Sequence, residues 1–211
     1  MEKREFREII QEGVGTAAFS SAVYLRVAGL VLSVISTIIA IPDSMNPVGT
    51  VIGTLIGGLF TLFLVILPLF EILRAKNSQN FKNDCDFGLK YLRINTIITL
   101  VISVLFAIVS LLVMVAVDIK FIVLVILSGV MLAHSILQLE VINDIRNGLY
   151  YNIEKISYAA VYFALTVILS IGSVAYAVYS QQLLSALTEL FVSASHIILA
   201  YLVFDANKKY K

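Results

Sequence analysis

Six apolar stretches dominate the chain, at approximately 22–41, 48–70, 94–117, 119–142, 156–178 and 183–204. Each is about 20 residues or longer, the length a helix needs to cross about 30 Å of hydrocarbon. Lipid offers no hydrogen-bond partners to an open backbone, so a segment crossing it must satisfy its own peptide groups as a helix or as part of a closed barrel. A barrel would show short segments of alternating apolar and polar residues, and no such alternation is sustained here. The pattern predicts an all-α membrane protein with six transmembrane helices.

The connections alternate in character. Three are short: Pro42 to Pro47, Asp118-Ile119-Lys120 and Ser180-Gln181-Gln182. Two are longer and polar, 71–93 and 143–155. The chain therefore reads as three consecutive helical hairpins forming one transmembrane domain over 1–211, with an arm at 1–20 before the first span. In that arm Phe6, Ile9, Ile10 and Val14 share one helical face against mixed charges, the pattern of an amphipathic helix lying in the membrane interface. Gly13 and Gly15 would end it. Tyr24-Leu25-Arg26-Val27, Tyr91-Leu92-Arg93-Ile94 and Tyr158-Ala159-Ala160-Val161 open the three hairpins at a spacing of 67 residues. A degenerate threefold repeat would place them so; so would the habit of Tyr and Arg to anchor helix ends at headgroup level.

Composition agrees with the pattern. Hydrophobic residues make up 60% of the chain and charged residues 14%, against roughly 25% charged in a soluble domain. The net charge of +1 leaves no electrostatic footprint for nucleic acid, so the lipid bilayer and other membrane subunits are the expected partners. Of the fifteen lysines and arginines, only Lys120 falls in a short turn. By the positive-inside rule the termini and both long connections are expected in the cytoplasm, with the protein in the cell membrane. No secretory leader is recognised, so the first span is expected to direct insertion. The single cysteine, Cys85, lies between Asp84 and Asp86 and reads as an ordinary reduced thiol.

Candidate chemistry is confined to a few stripes. Gly49, Gly53 and Gly57 form the flat helix face that lets two backbones approach closely, and the expected partner is the first helix through Gly29, Ser33 and Thr37. Small and polar residues recur on one face of the third helix (Asn95, Thr99, Ser103, Ala107, Ser110), the fifth (Tyr158, Tyr162, Thr166, Ser170, Ser173) and the sixth (Ser185, Glu189, Ser193, His196). Such stripes serve helix packing or line a polar pathway. Glu189 would lie about 9 Å into the membrane, counted at 1.5 Å per residue from Leu183. His196 is deeper on the same face, and His134 with Gln138 lies on the fourth helix. Ionisable groups inside a membrane are functional candidates because leaving them there is costly. A carboxylate and two imidazoles could hold a proton or cation in transit, whereas a buried histidine is most simply satisfied by a nearby hydroxyl. Their sequence spacing matches no metal-ligand pattern, so neither a metal nor a cofactor is expected. At the cytoplasmic rim, Arg26 and Arg93 open odd-numbered helices while Glu71, Glu140 and Asp205 close even-numbered ones, as interfacial ion pairs or a gate would require.

The chain has no phosphate-binding glycine loop, no His-Glu-x-x-His, no Gly-x-Ser-x-Gly and no Cys-x-x-Cys, and an enzyme is not expected. Two readings follow. The preferred one is a small membrane scaffold or accessory subunit of a membrane complex. The alternative is a small-solute or proton/cation-coupled transporter using the polar stripe of the third hairpin.

Overall fold

The computed structural model describes residues 5–44, 46–117, 122–151, 153, 155–180 and 183–210. Lys3, Arg4, Asp118, Ile119, Lys120, Gln181, Gln182 and Lys211 lie outside the described residues, and with them two of the short turns. The described chain is helical and contains no strand. A ten-residue helix α1 (Phe6–Gly15) precedes α2 (Ala17–Ala40), α3 (Pro47–Thr61), α4 (Leu67–Ala75), α5 (Phe81–Ala116), α6 (Ile122–Tyr150), α7 (Ala159–Tyr179) and α8 (Leu183–Tyr210). Helices α3 and α4 are one rod, joined through a wider π turn over Leu62–Ile66. That turn sits just ahead of Pro68, whose missing N–H and bulky ring disturb a regular ladder. Six helices are thus long and apolar enough to cross a membrane, as the hydropathy pattern predicts.

The helices run past the apolar stretches that announce them. Helix α5 begins at Phe81 and α6 ends at Tyr150, so most of the two long connections is helical. Local ion pairs support these polar extensions: Lys90 to Asp86 at 3.2 Å, Arg74 to Glu71 at 3.2 Å and Lys209 to Asp205 at 2.9 Å. Each has the i,i+3 or i,i+4 spacing that places two charges on one helical face. Arg146 Nε also donates to Asp86 Oδ1 at 2.7 Å, tying α6 to α5 through a nearly buried carboxylate. The 151–158 connection is pinned by its own backbone: Ile156 N–H donates to Asn207 and Ser157 N–H to Asp144.

The rods form a ring in the order α4, α5, α6, α7, α8, α2, with the thinnest contact between α6 and α7. The α5–α6, α7–α8 and α2–α8 seams are the most extensive. They are lined by small residues: Thr96, Ser103 and Ser110 on α5, Ser128 and Ser135 on α6, Ala22 and Gly29 on α2 are all buried. Steps of seven residues keep each set on one seam, the arrangement of helices crossing at a shallow angle. Ser195 Oγ donates to the Ala22 carbonyl at 2.8 Å and locks α8 to α2. The hairpins are not equivalent in packing, since α2 meets α8 far more than it meets α3. Tyr24 and Tyr91 lie inside helices, whereas Tyr158 precedes α7 with φ 59°, although all three side chains are exposed.

Two expectations are corrected. The apolar face of helix α1 is covered by the bundle itself rather than left for lipid. Phe6 is buried to 1% exposure and Ile9 to 2%, by contacts with α2, α4, α6 and α8 at one mouth of the ring. Phe6 meets Tyr210 edge-on at 5.3 Å, and Gln11 donates to the Lys76 carbonyl. A bundle mouth satisfies an apolar face as well as lipid does, and helical periodicity does not distinguish them. Second, the Gly53 and Gly57 face makes no close contact: nothing lies within 4 Å of where a Cβ would stand, and α3 buries no residue. A cleft bounded by Leu30, Ser33, Thr54 and Thr61 separates it from α2. Gly29 packs instead against Val192 and the Thr188 carbonyl of α8.

Candidate functional site

Beneath α1 the ring surrounds a half-open cavity of about 360 Å³. Its cover is the apolar face of α1, through Ile9, Ile10 and Val14. Its sides are apolar, with Leu69, Leu89, Val141, Ile142, Leu202 and Val203 from four of the surrounding rods. Its interior is polar, with Arg26, Asn95, Thr99, His134, Gln138, Tyr162 and His196. His134, His196 and Arg26 lie twelve to fourteen residues from the far ends of α6, α8 and α2. That is about 20 Å along a helix axis, well inside a hydrocarbon layer of about 30 Å.

The polar side chains come from five different helices, so the cluster exists only when the ring is assembled. His134 Nε2 lies 3.0 Å from Thr166 Oγ1, and that hydroxyl donates to the Tyr162 carbonyl at 2.8 Å. The Thr166 proton is therefore committed, its oxygen accepts from His134, and Nε2 carries the hydrogen while Nδ1 keeps its lone pair. The His134 ring also stacks on Tyr162, centroids 5.2 Å apart. Arg26 is within electrostatic reach of Glu189, Tyr162 and His196. It makes no ion pair among the described residues, and its Nη1 is buried without a hydrogen-bond partner.

The residues singled out in the sequence part company here. His134, His196 and Gln138 converge on the cavity, as do Asn95 and Thr99 of the third-helix stripe. Glu189 does not line it. Ser193 is buried against α7, with its hydroxyl 3.2 Å from Ser173 Oγ. The expected rim does not form as a set. Glu71 and Asp205 pair within their own helices, with Arg74 and Lys209, while Arg93 and Glu140 are exposed. Arg26 is not at the rim at all. Helix α2 begins at Ala17, so Arg26 stands nine residues in, about 14 Å along the axis. The small residues Ala17, Ala18, Ser20, Ser21 and Ala22 dilute the hydropathy there and mask the true start. Tyr162 is visible in the sequence as a stripe residue, but nothing local marks it as a partner of His134.

Arg26 is the only residue of fixed charge among the described residues that line the cavity. The arrangement offers a guanidinium, an imidazole lone pair, a phenol and two amides at the foot of apolar walls. It can hold a small molecule with a polar head and an apolar body. Compared with known proteins, the chain matches no family model, no curated protein and no solved structure.

Proposed function

We propose that this protein is a small membrane carrier that binds a solute in the central cavity, with α1 as the cover over one entrance. The observation that supports this reading is a cavity deep in a six-helix ring whose polar interior is assembled from five rods. A bundle built only for packing would close over such groups, because buried polar atoms without partners are costly. The described basic residues of α1, of the 71–93 and 143–155 segments and of the α8 terminus sit at the α1 end. By the positive-inside rule that end faces the cytoplasm and the cover opens inward, with the protein in the cell membrane. The reading is of a carrier rather than an enzyme.

Cys85 tests it, because it is the only cysteine, it is buried, and it lines the cavity. A membrane-impermeant maleimide should modify it slowly in inside-out vesicles. Ile9→Glu, which weakens the seat of α1, should speed that reaction about tenfold, and right-side-out vesicles should show no such change. Equal rates in the variant and the parent chain would overturn the reading. The scaffold reading rests on another surface, the open glycine face of α3. That face is a capacity for packing without a visible occupant, so the cavity carries the conclusion.

A further inference from the structure

We infer that the solute held in this cavity is a singly charged organic anion with a short apolar body, its carboxylate facing Arg26. The inference rests on the carrier reading and names its substrate class. Arg26 brings five N–H donors and no acceptor, and its Nη1 is buried with nothing to donate to. A carboxylate is acceptor-only and matches a guanidinium in pairs of hydrogen bonds. An alcohol supplies a single acceptor atom, and an ammonium supplies none and meets a like charge. Among the described residues lining the cavity there is one fixed cation, so a doubly charged head would leave uncompensated charge inside the membrane. Glu189 shares the field of Arg26 but forms no ion pair with it among the described residues and does not line the cavity. It therefore competes with a bound anion through space without filling its place.

The walls set the rest of the molecule. Val141, Ile142, Leu202 and Val203 rise from the polar residues toward α1, and apolar surface buried there stabilises an alkyl body. A cavity of about 360 Å³ is near the lower end of the pockets of about 300–1,000 Å³ that hold small molecules, so a ligand of about a dozen non-hydrogen atoms suits it. Decanoate has that size, and decanol and decylammonium differ from it only in the head.

The experiment measures binding of these three radiolabelled probes to the full chain in lipid nanodiscs, with empty nanodiscs subtracting simple partition. Decanoate should bind saturably. Arg26→Gln should weaken it about tenfold or more, the scale of a lost charge-assisted hydrogen bond, and Arg26→Lys should fall between. Glu189→Gln removes the competing charge and should tighten decanoate binding about threefold, well under the unscreened Coulomb limit. Val203→Trp fills the apolar wall and should remove binding whatever the head. The Glu189 variant keeps the test decisive if Arg26→Gln does not fold. Decanol or decylammonium binding as tightly as decanoate, or Glu189→Gln weakening decanoate, overturns the anion assignment and leaves the carrier reading standing. Saturable binding by none of the three overturns the anion assignment, and the carrier reading falls with it only if Cys85 also fails to respond to the seat of α1.

Discussion

Two sets of glycines in this protein behave in opposite ways. Gly49, Gly53 and Gly57 carry the spacing that marks a helix-packing face, yet Gly53 and Gly57 face open space and Gly49 meets only Asn46, the cap of its own helix. Gly29, Gly88 and Gly148 belong to no run of spaced glycines, and each lies under a neighbour so closely that a Cβ would collide with it. At Gly88 the collision is with the Pro68 carbonyl, 2.6 Å away, at Gly29 with Val192 at 2.7 Å, and at Gly148 with the ring of Phe6. Glycine spacing measures what a face could accept. Which face is used depends on what must come close: a proline-distorted rod against α5, the last span against the first, a phenylalanine seating the cover.

That contrast can be broken at three positions. The largest effect is expected at Gly88, because the obstacle is backbone that cannot rotate away. Gly88→Leu should cost about 3 kcal/mol, the upper part of the range for overpacking, and lower the melting temperature of the detergent-solubilised protein substantially. A melting curve unchanged within error would mean that α4 and α5 are not in this contact. Gly148→Ala should have a smaller effect, of about 1 to 2 kcal/mol, because a side chain can move where backbone cannot. Displacing Phe6 unseats α1, so the signature is local: Cys85 becomes more accessible to maleimide while the bundle melts nearly as before. Loss of the whole fold without early Cys85 exposure would show that α1 is integral to the ring rather than a cover on it. The smallest effect is expected at Gly53. Gly53→Ala should be neutral or stabilise by up to about 1 kcal/mol, since alanine is the better helix former and its methyl meets nothing within 4 Å. A marked destabilisation would reinstate the motif as a packing surface.

The six spans are legible in the sequence because an apolar run of about 20 residues matches the thickness of a bilayer and little else. Their ends are not, since the helices continue on charged residues supported by pairs such as Lys90–Asp86, and such pairs look the same in an exposed loop. The apolar face of α1 is legible residue by residue, but its destination is not, because periodicity records that a face must be covered and not by what. The site is half visible. His134 and His196 are the only imidazoles of the chain and stand out as intramembrane groups. Glu189 stands out equally by its charge, yet the charge facing the cavity belongs to Arg26, whose depth is hidden by the weakly apolar first turns of α2. Convergence of residues from α2, α5, α6, α7 and α8 is a tertiary fact with no local signature.

The pairing of α2 with α8 has a consequence for biogenesis. Insertion delivers spans in order from the N-terminus, yet the first finds its main partner only in the last. Until α8 arrives, Ala22 and Gly29 face lipid, Arg26 sits within the hydrocarbon beside an unfinished ring, and the Phe6 face lacks its contact with Tyr210. Closing so long a loop is entropically slow, so the docking of α8 on α2 would come last in assembly, and variants at Gly29 or Ser195 would be expected to lower the amount of inserted protein as well as its stability.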